Sequence, residues 1–182
     1  MRLILSGIQS IEDVKTAVNL GADAVGMLVG QQGPGENFIL PSTAARLAEG
    51  MPPVISTVLI TQFKTVEDIV DIACRTGINT IQFSGISPEN TALLRERLPR
   101  TVKLIPEICN DDFLPGFVMA HVGEYIGVVN AFALKITAPE RINELPDIIA
   151  ALPLPVIVSG CPDDVAAAAG AFACCRLITA GA

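Results

Sequence analysis

Tryptophan is absent from the 182 residues, tyrosine and histidine occur once each, and aromatics make up 4% of the chain. A core without large rings has to be built from Val, Ile, Leu and Ala. That composition fits strands buried on both faces and covered by helices better than a sheet with one wet face. Positive charge is scarce too: 12 Lys and Arg stand against 19 Asp and Glu, for a formal net charge of −7. No Lys/Arg cluster interrupts that balance, so the electrostatic footprint of a nucleic-acid-binding surface is lacking. Long apolar runs are also missing. Mean hydropathy is +0.53, yet no stretch reaches the roughly 18 residues a membrane span needs, and the N-terminus has no signal-peptide layout. The expectation is a cytoplasmic protein with neither membrane nor nucleic-acid partners.

The five cysteines are Cys74, Cys109, Cys161, Cys174 and Cys175. They form no C-x-x-C pair and no Cys/His ligand spacing, which argues against zinc and leaves reduced, mostly buried thiols as the expectation. The glycine-rich stretch from Gly30 to Asn37 lacks a G-K-[ST] ending and dinucleotide spacing, so it makes a weak case for a nucleotide loop. No metal and no cofactor is expected.

What the chain has instead is one phrase repeated. An apolar strand, Arg2 to Gly7, is followed by a helix that starts at Ser10 and stops at Gly21, then by a second apolar run, Ala24 to Val29. Ser10 and Asp13 have the spacing of a reciprocal helix cap, and Gly21 suits the left-handed position after a helix. Further strands are predicted at Val54 to Ile60, Thr80 to Phe83, Val102 to Ile108, Tyr125 to Val129, Pro155 to Val158 and Arg176 to Thr179. Helices are predicted at Ser42 to Glu49, Val66 to Arg75 behind Thr65, Ser87 to Arg97, Asp111 to Val122, Pro139 to Leu152 and Asp163 to Ala169. Strand–helix alternation of this kind gives parallel strands. The reading is an α/β chain, a single domain over 1–182 folded as a (β/α)8 barrel of the TIM type. It is shortened, because 182 residues fall below the usual ~200 and the chain stops where an eighth helix would begin. An open doubly wound sheet is the alternative.

In such a barrel the chemistry sits where strands end, and residues two apart on a strand share a face. Reading each strand in one phase aligns Ile4 with Ser6, Gln82 with Ser84, Lys103 and Ile105 with Glu107, Val128 with Asn130, and Ile157 with Ser159. Polar residues thus collect at the C-terminal ends of apolar strands, either as a site or as simple strand-end caps. Glu107 is a candidate base. Lys103 lies about 13 Å below it along the strand, too far for a direct pair. Ser159-Gly160 and Thr179-Ala180-Gly181 let backbone amides approach an anion closely. Lys135, read as following strand six, faces either solvent or a phosphate, and His121 lies within an ambiguous helix.

At this point the chain resembles the phosphoribosylanthranilate isomerase family. Residues 3–8, L-I-L-S-G-I, resemble that family's V-K-I-C-G-I opening strand, and the stretch from Glu12-Asp13 to Met27 its E-D-A…G-A-D-A-V-G-F segment. Residues 77–85 resemble G-x-x-x-V-Q-L-H-G, residues 155–160 resemble P-V-I-L-A-G-G, and Thr179-Ala180-Gly181 resembles the S-S-G turn. The resemblance implies a barrel of tryptophan biosynthesis that runs an Amadori rearrangement of an aminoaldose phosphate, with a cysteine base and an aspartate acid. It puts Ser6 at the cysteine, Asn130 at the aspartate, Ile4 at a strand-one lysine, Ser84 at a histidine, and Glu36-Asn37 near a loop arginine. The family's G-G-T-G loop has no counterpart from Ala131 to Ala138.

Two readings follow. In the first, a divergent member binds a small phosphorylated or anionic ligand at the strand C-termini. Ser6, Asn130 and Glu107 are then the catalytic positions, and Gln82, Ser84, Lys103, Ser159, Gly160, Thr179, Ala180 and Gly181 the ligand-binding ones. In the second, the barrel is non-catalytic and serves as a partner subunit, with a second copy forming a homodimer over its open flank.

Overall fold

The computed structural model describes residues 3–30, 37–109, 122–135, 149–150, 152–160 and 177–181. Eight parallel strands close into a barrel in sequence order, with β8 returning to pair with β1. The strands are β1 (Leu3–Ser6), β2 (Ala24–Leu28), β3 (Ser56–Thr61), β4 (Thr80–Ser84), β5 (Lys103–Cys109), β6 (Phe132–Lys135), β7 (Val156–Gly160) and β8 (Leu177–Gly181). The described helices between the early strands are α1 (Ile11–Asn19), α2 (Pro41–Glu49), α3 (Val66–Thr76) and α4 (Pro88–Arg97). Closure decides against the open sheet.

The helix ends follow the local sequence. Asp13 N–H donates to the Ser10 hydroxyl at 3.1 Å, while the Asp13 carboxylate accepts from the Ser10 amide at 2.9 Å, a reciprocal cap that satisfies first-turn donors. Thr65 and Ser87 accept from Asp68 and Asn90 in the same way. Gly77 ends α3 in the left-handed region at φ 66°, where a side chain would be strained.

Alternation along each strand splits the apolar residues into two cores. Val25, Met27, Leu59, Ile81, Phe83, Leu104, Phe132, Leu134 and Val158 face outward and belong to the large cluster shared with the helices. Ile4, Ala24, Val58, Ile105, Ala131, Ala133 and Ile157 form a separate cluster inside the barrel. The barrel interior is therefore a packed core closed at its lower end.

Strand six is where the sequence pattern misleads. The β-branched stretch Tyr125 to Val129 is not a strand: a short helical turn at 122–125 runs into a bend, with Val129 N–H donating to the Tyr125 carbonyl at 3.2 Å and Gly127 at φ 85°. The strand comes later, at Phe132–Lys135, where Ala133 can pair with both Glu107 and Ile157. Tyr125 instead buries its ring edge-on against Phe132 and donates its hydroxyl to the Ile86 carbonyl at 3.0 Å. The helices expected over residues 111–121, 139–148 and 163–169, and His121 with them, lie outside the described residues. No described helix is long and apolar enough to cross a membrane.

Candidate functional site

The inward-facing residues stack in levels. Barrel strands tilt, so a level continues on the next strand one residue beyond the paired position. The registers then place Ile4, Val58, Ile105 and Ile157 on one level, all buried and all apolar. Above them come Gly26, Gln82 and Ala133, with Thr179 at the matching position of β8. The next level holds Ser6, Ile60, Glu107 and Ser159, and Ser84 and Lys135 stand one step higher. An apolar floor thus gives way to polar groups toward the C-terminal mouth.

Two contacts fix this arrangement. A Cβ on Gly26 would meet Ile60 Cδ1 at 2.8 Å and Ser6 Cβ at 3.0 Å, so these two side chains close over the glycine from either side. Gln82 is 3% exposed, and its amide nitrogen donates to Glu107 Oε2 at 2.9 Å. Ser159 donates from its hydroxyl to the Leu134 carbonyl at 3.4 Å. Gly160 and Ala180 pair side by side, and Gly181 pairs with Ser6, so the small-residue ends of β7 and β8 lie beside β1.

The loops add groups that strand phasing does not reveal. Lys64, between β3 and α3, donates from Nζ to the Ser84 carbonyl at 3.0 Å and so lies over the end of β4. Phe63, its neighbour, stacks over Gly30 at the end of β2, and Gln62 N–H donates to the Gly30 carbonyl at 3.2 Å. Asn37, at φ 70°, receives the Gln9 amide at 3.3 Å and packs on Gly7. Lys135 is exposed at the end of β6. Among the described residues no group of three or more His, Cys, Asp or Glu converges as a metal site would require.

No family model matches the chain. By sequence it is similar to N-(5'-phosphoribosyl)anthranilate isomerase 2 of Methanosarcina mazei, at 32% identity over 135 residues, covering 74% of this chain and 58% of that protein. By structure it is similar to the phosphoribosyl anthranilate isomerase of Thermotoga maritima, with a TM-score of 0.79 at 20% identity, covering 100% of this chain and 87% of that one. A further isomerase structure, solved in complex with reduced 1-(o-carboxyphenylamino)-1-deoxyribulose 5-phosphate, superposes with the same TM-score of 0.79, identity of 20%, and coverage of 100% and 87%. The curated relatives and the structural neighbours it matches are phosphoribosylanthranilate isomerases. It spans about half the length of the curated relatives it matches.

Set on the isomerase-family barrel, the predicted positions divide into two groups. Ser6, Gln82, Ser84, Glu107 and Ser159 share the C-terminal mouth, and Gly160, Thr179, Ala180 and Gly181 reach it through their register. Asn130 and Lys103 do not. Asn130 precedes β6 at the opposite end of the barrel, where its side chain accepts from the Leu104 amide at 3.0 Å and its own amide donates to the Leu104 carbonyl at 2.9 Å. Shifting strand six along the chain exchanges Asn130 for Lys135 as its C-terminal polar residue. Lys103 opens β5 at that same lower end, exposed, with its amide on the Asn79 carbonyl at 2.7 Å. Lys64 went unseen because nothing in a loop sequence says which neighbouring strand end a long side chain will reach. The loop position near Glu36 lies outside the described residues.

Proposed function

We propose that this barrel binds a small phosphorylated aminosugar at its C-terminal mouth and isomerises it by the family's Amadori-type reaction, with N-(5'-phosphoribosyl)anthranilate as the first substrate to try. The observation that carries this reading is Glu107, the one carboxylate among the described inward-facing positions, held by Gln82 at 2.9 Å on the level of Ser6 and Ser159. The reaction requires a proton to leave C2 of the open-chain imine, giving an enolamine. A proton then returns at C1 as the C2 hydroxyl becomes a ketone. A serine cannot replace a thiolate as base without another group to activate it, whereas a carboxylate can take the C2 proton directly. Lys64 and Lys135 supply cations for the anionic ends of the ligand, and the small residues at the ends of β7 and β8 would let backbone amides approach a phosphate closely.

The test is turnover of N-(5'-phosphoribosyl)anthranilate followed by fluorescence in wild type, Glu107→Gln, and a Ser6→Cys/Lys135→Asp double variant that puts a cysteine and an aspartate at the C-terminal ends of β1 and β6. Glu107→Gln should lower kcat by about 10²- to 10⁴-fold. Wild-type turnover that survives Glu107→Gln unchanged would remove Glu107 as the base. Silence in wild type and double variant alike would favour the non-catalytic barrel paired with a second copy.

A further inference from the structure

Gln82 carries a second feature that holding Glu107 does not use. A glutamine side chain has two donor hydrogens and a carbonyl oxygen able to accept twice. One hydrogen goes to Glu107 Oε2 at 2.9 Å, yet Oε1 is fully buried with no hydrogen-bond partner among the described residues. Its described surroundings supply none. The residues paired with Gln82 on either side are Ile60 and Ile105, its own level holds Gly26 and Ala133 with Thr179 at the matching position of β8, and the level beneath is apolar. Turning the amide over would set Oε1 against the carboxylate oxygen that now accepts from the amide nitrogen, two acceptors face to face, so Glu107 itself fixes which end of the amide is left over. An unpaired buried carbonyl is costly, and the polar levels of the barrel lie on its mouth side, from which a ligand donor would come.

We infer that Gln82 is both a positioning residue for Glu107 and a recognition element, whose buried carbonyl oxygen accepts a hydroxyl or amine hydrogen from the bound ligand. The inference rests on the proposed function only in taking the mouth as the ligand site. The pair then presents two adjacent acceptors to the ligand, the Glu107 carboxylate and the Gln82 carbonyl. It selects molecules carrying neighbouring O–H or N–H donors over the same molecules without them, because a site built to hydrogen-bond a donor rejects its absence.

The positioning half is tested without any ligand, by NMR. Across a pH titration of the wild-type protein, the Gln82 side-chain amide signal should move with the same midpoint as the Glu107 carboxyl carbon. A Gln82 signal that stays still through the Glu107 transition overturns the positioning role, and this measurement needs no variant to fold. The recognition half is tested by calorimetric binding of reduced 1-(o-carboxyphenylamino)-1-deoxyribulose 5-phosphate, with Gln82→Met expected to weaken it about tenfold. Equal affinity in the two proteins overturns recognition by Gln82. No binding by wild type overturns the recognition half together with the proposed function, while the NMR result still decides positioning.

Discussion

Lys64 donates from its ammonium to the Ser84 carbonyl at 3.0 Å, and its Nζ occupies the place where a side chain on Gly85 would begin. Gly85 sits at φ 69°, so the glycine is required twice: once by its own backbone and once by the lysine lying over it. The loop after β3 is thereby fastened to the end of β4 at the mouth of the site.

Gly85→Ala should destabilise the fold by about 1–2 kcal/mol from the left-handed backbone alone, with a further loss from displacing Lys64. In a Lys64→Ala background the second part disappears and the first remains. Urea unfolding of the two single variants and the double variant separates them, and strict additivity would show that the contact carries no energy.

Gly26 makes room inside the barrel for Ile60 and Ser6. Gly26→Ala overfills that level and should cost about 1–3 kcal/mol. Ile60→Val removes Cδ1, the atom a Cβ on Gly26 would meet at 2.8 Å, and should return part of the loss. The Ser6 contact at 3.0 Å remains, so the rescue is incomplete. A double variant no more stable than the sum of the singles would contradict this packing.

Tyr125 ties the 122–129 segment to the loop after β4 through its bond to the Ile86 carbonyl. Tyr125→Phe leaves that carbonyl without its donor and should cost about 1 kcal/mol in thermal or chemical unfolding. Burial, with Glu124 and Glu89 adding to it, raises the Tyr125 pKa above its ordinary value. A raised folded-state pKa means the contribution is complete below the unfolded value of about 10 and is lost as pH rises through the folded one. Wild type should therefore lose stability on its alkaline limb more steeply than Tyr125→Phe.

Asp13 behaves oppositely. The Gln9 amide first, then the Ser10 hydroxyl and amide, hold its carboxyl below the ordinary aspartate value. The contribution is present above the unfolded value of about 3.9 and is lost as pH falls through the lower folded one. Asp13→Asn should flatten the acid limb of the stability curve, and Ser10→Ala should cost about 1 kcal/mol at neutral pH. An acid limb unchanged by Asp13→Asn would mean that the cap does not carry that dependence.

The sequence alone determined what local chemistry controls. The caps at Ser10, Thr65 and Ser87, the stop at Gly77, seven of the eight strands to within about two residues, and the inward phase of Ser6, Gln82, Glu107 and Ser159 are all readable from residue type and spacing. Each depends on a side chain reaching its own backbone, or on a two-residue alternation that folding preserves. Strand six was not readable. Tyr125 to Val129 has the β-branched look of a strand, and only pairing with β5 and β7 selects Phe132–Lys135. That one shift carried Asn130 to the floor of the barrel and brought Lys135 to its mouth. The bond between Gln82 and Glu107, the seat of Lys64 on Gly85, and the closure of β8 on β1 join residues 25, 21 and roughly 175 positions apart. No local rule reaches across such separations, so the tertiary structure alone decided them.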